Sequence, residues 1–162
     1  MTLQQVLVRE SQIKEVVAIR KEVVRLNLSR PPHFDALTDI DLAKIYNGYG
    51  PDSWPEAIRD AVTWFYRHWV VLAIIHDVDF HFSDGTRRSY LEATARWSIN
   101  YSLALSDRYP MTKPWLYPAR AWAWAKLRLS LRALQLGSWP AWQEASRRRE
   151  QRGLTEADSF AV

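Results

Sequence analysis

Apolar side chains recur near helical spacing from about residue 11 to 28, at Ile13, Val16, Val17, Ile19, Val23 and Val24. That spacing predicts a first helix. Its β-branching also suits extended chain, so a strand within residues 3–8 is the competing expectation. Arg30-Pro31-Pro32 closes the segment, since proline lacks the amide a helix interior needs. Thr38 or Asp39 is placed to cap a short helix ending near Ile45. The glycine turn Tyr46-Asn47-Gly48-Tyr49-Gly50-Pro51 then breaks the chain, and Pro55 suits the first turn of the next helix. That helix is expected over about residues 56–75, running on through His76-Asp77. Ser83-Asp84-Gly85 reads as a turn. A second long helix is expected from about residue 87 to 106, with Leu91, Ala95, Ile99 and Ser102 along one stripe. Pro110 and Pro114 delimit a loop, and a last helix spans about residues 118–136 with Gly137 as its stop. Beyond Trp142 the chain continues as helix or frays. The fold class is mainly α.

A chain of 162 residues fits one domain with a core of its own, and 48% hydrophobic with 25% charged is a globular composition. Cysteine is absent, which excludes disulfides and thiolate metal sites. No signal-peptide pattern opens the sequence and no apolar run suggests a membrane span, so a cytoplasmic or virion-associated location is expected. The net charge of +4 is unevenly spread. Residues 31–60 hold six acids against Lys44 and Arg59, whereas nine basic residues lie beyond Met111, among them Arg147, Arg148 and Arg149. Such asymmetry fits an anionic surface as partner, with nucleic acid the lesser candidate, although a solvated helix face explains it too.

Nine tryptophans are many for this length. Trp64, Trp69 and Trp97 fall in expected helices and read as core. Trp115, Trp122, Trp124, Trp139 and Trp142 lie among Lys113, Arg120, Lys126 and Arg128, which is also the composition of a membrane-interface belt. Core packing is the preferred reading for these as well.

The candidate chemistry lies at His76-Asp77, which ends the apolar run from Trp69 to Ile75. Histidine exchanges a proton near neutral pH, and an imidazole beside a carboxylate needs pairing, hydration or a ligand in apolar surroundings. A glycine turn leading to a helical His-Asp, with Phe80 three residues after the Asp, resembles the phospholipase A2 superfamily. The order Asn-Gly-x-Gly-Pro, Trp-Pro, His-Asp, Ser-Asp-Gly is also similar to small phage-encoded proteins. The likeness covers about residues 37–106.

The resemblance implies a small helical domain with two antiparallel long helices, over residues 37–142, between an N-terminal helix or strand with linker (1–36) and a charged tail (143–162). It implies a calcium-dependent ester hydrolase, with His76 as general base toward water. Calcium would be held by Asp77, by carbonyls near Gly48 and Gly50, and by Asp52. The family's second helix carries an aspartate that orients the histidine, and here Thr94 stands in its place. A hydroxyl cannot stabilise an imidazolium as a carboxylate does, so Asp79, one turn from His76, is the candidate substitute.

Three other readings stay open. His76 can be a packed core histidine, with Gly48 and Gly50 an ordinary turn. His76, Asp77, Asp79, His81 and Asp84 can be transition-metal ligands if Asp77–His81 is extended. The chain can be a non-catalytic assembly, inhibitory or interaction protein on the same scaffold, with a protein or particle component as partner. His33 and His68 read as surface or packing residues. No nucleophile elbow and no Gly-Lys-Ser phosphate loop is present.

Overall fold

A helix that is apolar almost all round has to be covered on every side. The helix α3 (Val70–His81) is of this kind, with Val71, Leu72, Ala73, Ile74, Ile75, Val78 and Asp79 buried along its 12 residues. The computed structural model describes residues 3–46, 57, 64 and 67–151, and among these the regular structure is all helical. Packed against α3 are α1 (Leu3–Arg25), α2 (Asp39–Ile45), α4 (Arg87–Arg108) and α5 (Tyr117–Gln151).

Helix α1 begins at Leu3, so residues 3–8 are helix and not the competing strand. It offers Val16, Ile19 and Val23 to the core, at helical steps. It stops at Asn27, which takes the left-handed conformation (φ 49°). The Leu28 amide reaches the Val23 carbonyl at 3.1 Å and the Asn27 amide reaches Val24 at 3.0 Å, which is a Schellman cap with Leu28 buried against Val23. Arg20 then holds the adjoining loop, donating to the Leu37 carbonyl at 2.8 Å and to Asp39 at 2.9 Å. Thr38 caps α2, accepting from the Asp41 amide at 3.2 Å in a reciprocal capping box.

Helix α4 returns antiparallel along α3 after the turn at Ser83-Asp84-Gly85, with Trp69 stacked on Tyr101 at one end and Asp79 paired with Arg96 nearer the other. Thr86 is its cap. The stripe of Leu91, Ala95, Ile99 and Ser102 lies on the outer side, with only Ser102 partly buried. The buried side is instead Tyr90, Ala93, Trp97, Tyr101, Ala104 and Leu105. Both stripes have helical spacing. The one with three aromatic rings removes more apolar area from water, and it wins the core.

Helix α5 lies antiparallel on α4, with the Tyr101 hydroxyl donating to the Ala123 carbonyl at 3.0 Å and Tyr90 reaching Leu134. It does not stop at Gly137. It continues past Pro140 to Gln151. Tertiary anchors outweigh the local breakers: Trp142 is 1% exposed against Phe80 and Tyr90, the Ser83 hydroxyl donates to the Trp142 carbonyl at 3.2 Å, and Arg149 donates to the Phe82 carbonyl at 2.8 Å. Gly85 holds φ +72°, and a Cβ there would sit 2.9 Å from the Ser146 hydroxyl, so this close crossing needs glycine. Trp69 and Trp97 are core as expected. Trp64, Trp115, Trp122 and Trp124 are exposed, against the preference for core.

Asn100 fastens the loop after α1 to α4. Its side chain is 1% exposed, accepts from the Ser29 amide at 2.8 Å and donates to the Ser29 carbonyl at 2.8 Å. Asn100→Asp keeps the shape and replaces that donor with a second oxygen. At pH 7 this should cost about 3 kcal/mol in urea unfolding, because a buried carboxylate then faces a carbonyl. The deficit should shrink as pH falls and the introduced carboxyl takes up a proton that it can donate.

Candidate functional site

The candidate residues leave α3 in different directions, since consecutive helical positions are about 100° apart. His76 points toward α4. Its ring lies 4.6 Å from Phe80 and meets the Trp97 ring edge-on at 5.2 Å, centroid to centroid. Burial among these rings lowers the imidazole from 6.5 to about 4, because desolvation penalises the charged form. At neutral pH the ring is uncharged. The crevice around it, lined by Leu72, Ile75, His76, Asp79, Ala93 and Trp97, has no room for a water molecule.

One turn on, Asp79 is 8% exposed and ion-paired with Arg96 of α4. Burial pushes its carboxyl up from 3.8 to about 6, against the opposing pull of the Arg96 guanidinium. A carboxylate held by a guanidinium is engaged elsewhere than on the imidazole, and the Nε of Arg96 is itself buried without a hydrogen-bond partner. Thr94 turns along its own helix, its hydroxyl donating to the Tyr90 carbonyl at 2.9 Å. The side chain that meets His76 across the helix pair is Trp97, and Thr94 does not line the crevice.

Asp77 is half-buried, and its charge acts on Tyr46 at the end of α2. Burial raises the Tyr46 phenol above its ordinary range, helped by the negative charges of Glu15 and Asp77. The remaining calcium candidates, Gly48, Gly50 and Asp52, lie outside the described residues. The transition-metal set is not assembled. Residues 77–81 are helical, so Asp77, Asp79 and His81 do not share a face. Asp84 instead accepts from the Thr86 amide and hydroxyl, each at 2.9 Å. Among the described residues no group of three His, Asp or Glu side chains is placed to hold a metal ion.

The residues brought together are therefore His76, Asp79, Arg96 and Trp97. Two of these, Arg96 and Trp97, carried no functional reading in the sequence. The signal for Arg96 was indirect: an acid on an apolar helix needs a cation opposite, and Arg96 lies mid-way along the next helix. His33 packs on Phe82 at 4.3 Å, and the exposed His68 meets Arg108 at 3.2 Å on the surface. No family model, curated protein or solved structure matches this chain.

His76 and Asp79 have opposite effects on stability between about pH 4 and 6. The depressed imidazole contributes stability that is full above 6.5 and lost as pH falls toward 4. The raised carboxyl contributes stability that is full below 3.8 and lost as pH rises through 6. Replacing His76 by Gln removes only the first effect. The unfolding free energy of the wild type relative to His76→Gln should therefore grow from pH 4 to 6.5 and then level off, in parallel urea titrations.

Proposed function

We propose that this chain is a non-catalytic interaction module whose working surface is the tryptophan-bearing side of α5, and that an anionic lipid surface is its partner. The observation that carries this reading is the combination of exposed rings with a basic stretch of sequence that holds no acid. Trp115, Trp122 and Leu129 are 71%, 59% and 60% exposed. They are seven residues apart, so they lie on one side of the helix and its lead-in. From residue 108 to 143 the sequence contains six Lys and Arg and no acid. Lys126 lies 5.7 Å over the Trp122 ring.

Indole rings favour the interfacial zone of a bilayer, and each nearby cation adds on the order of 1 kcal/mol of attraction to anionic headgroups. No helix among the described residues is long and apolar enough to cross a membrane, so the contact would be peripheral. The His76 crevice supports the same reading from the other side: among the described residues the ring meets Trp97, and the one carboxylate lining the crevice, Asp79, is held by Arg96. A particle-assembly or inhibitory role would use the same surface.

The protein should co-sediment with phosphatidylglycerol vesicles and not with phosphatidylcholine vesicles, and salt should weaken the binding. Trp122→Ser with Trp115→Ser should reduce it at least about tenfold, which corresponds to about 1.4 kcal/mol. Equal binding to both vesicle types, or none, would remove the proposal.

A second reading, the phospholipase A2-like calcium-dependent hydrolase, is favoured by one observation. The charge of Asp77 acts on Tyr46, the residue that leads into the glycine turn. In this reading His76 takes the proton from water, and Asp77, Asp52 and the carbonyls of Gly48 and Gly50 hold calcium, which would polarise the ester carbonyl. Of that donor set the described residues supply only Asp77. Calcium-dependent fatty-acid release from anionic vesicles should then fall 10²- to 10⁴-fold in His76→Gln, roughly the usual contribution of a general base. Thr94→Asp should raise it. Folded wild type and Thr94→Asp that are both inactive with calcium would leave the binding module as the function.

A further inference from the structure

The loop that joins α4 to α5 is exposed at every residue from Met111 to Trp115. Single exposed apolar residues are ordinary, but here they gather. Of the twelve large apolar side chains that stand exposed among the described residues, five lie within this loop and the first turns of α5. They are Met111, Trp115, Tyr117, Trp122 and Trp124.

The loop is also braced. Pro110 and Pro114 each fix a backbone angle. The Lys113 amide bonds to the Pro110 carbonyl at 3.1 Å, and the Leu116 amide to the Lys113 carbonyl at 3.0 Å. The Tyr117 hydroxyl donates to the Met111 carbonyl at 3.0 Å, which ties the start of α5 back to the loop. Arg120 donates to the carbonyl of Tyr109, whose ring packs against the core. A segment already held in one shape gives up little conformational freedom when it binds.

The indoles select the direction of approach. Trp122 and Trp124 are about 200° apart around α5, and they are 59% and 40% exposed. A helix lying flat on a bilayer immerses one side and leaves the other in water. Approached end-on, the same helix brings Trp115, Tyr117, Trp122 and Trp124 to the surface together, as a girdle of the kind that favours the interfacial zone. Lys113, Arg120 and Lys126 lie among these rings, and the nearest acid before them in sequence, Asp107, is engaged by Arg25 at 2.7 Å. That charge suits anionic headgroups.

Resting on the lipid reading above, we infer that the protein enters an anionic bilayer tip first, with Met111 and Trp115 deepest. Lys113, between them, lays its apolar stem along the two side chains and returns its ammonium to the headgroup phosphates. Leu129 lies about 18 Å along α5 from Tyr117, well beyond an interfacial zone roughly 5–7 Å deep, and stays in water.

Because the chain has no cysteine, Met111→Cys and Leu129→Cys can each carry one environment-sensitive fluorophore. With phosphatidylglycerol vesicles the label at 111 should shift to shorter wavelength and be quenched by lipids that bear a quencher on the acyl chain. The label at 129 should keep its emission in water. Met111→Ser should weaken vesicle binding about tenfold through the lost apolar burial, while Leu129→Ser should bind like wild type. Both positions are exposed, so thermal melts should not change. A label at 129 that shifts as far as the one at 111 would overturn the inference in favour of a helix lying flat. So would an unshifted label at 111 on vesicles that co-sediment the protein. Failure to co-sediment would remove the lipid reading itself, and this inference with it.

Discussion

Because α3 is apolar on nearly every side, water must be kept from all of it at once, and no single neighbouring helix has a face wide enough to do that. Four helices close around it, drawn from both ends of the sequence. The demand explains why local signals yield where they do. Gly137 and Pro140 would end a free helix, yet α5 carries on past them because Trp142 covers Phe80. The same demand sets which stripe of α4 turns inward.

The polar groups of α3 are confined to one end, and their placement sets how α3 and α4 engage. The register that puts Arg96 on Asp79 also puts Trp97 on His76. A buried ion pair adds little net stability, since desolvation of both charges offsets their attraction. It penalises slippage all the same. A shift by one residue would leave a buried carboxylate without its cation, and it would also expose Trp97.

Elements whose limits are set by neighbours in sequence were legible. Thr38, one of the two expected caps, does cap α2, Ser83-Asp84-Gly85 is the turn, and helix runs through His76-Asp77. What depends on distant contacts was not. Leu91, Ala95 and Ile99 have helical spacing as good as that of Tyr90, Ala93 and Trp97, and only the competition for α3 separates the two stripes. The same holds for the candidate site. His76 and Asp77 are legible as chemistry-bearing residues, but the fall of the imidazole to about 4 arises from Phe80 and Trp97. Trp97 belongs to another helix. Arg96 was hidden for a similar reason, because arginine is ordinarily a surface residue and only its partner makes it a buried one.

The closure of α5 over the start of α4 also has a consequence for biosynthesis. Arg149 bonds to Phe82 across 67 residues of sequence, and Ser83 to the Trp142 carbonyl across 59. A chain emerging from the ribosome therefore makes α3 and α4 well before it makes the segment that covers Phe80 and Tyr90. During that interval these rings face water, as does the inner side of α4 that Ala123 and Leu127 later cover. Such transient apolar surface is what chaperones bind and what aggregation exploits. The last helix thus acts as the closing step of assembly, and any pause in translation ahead of residue 142 prolongs the exposed state.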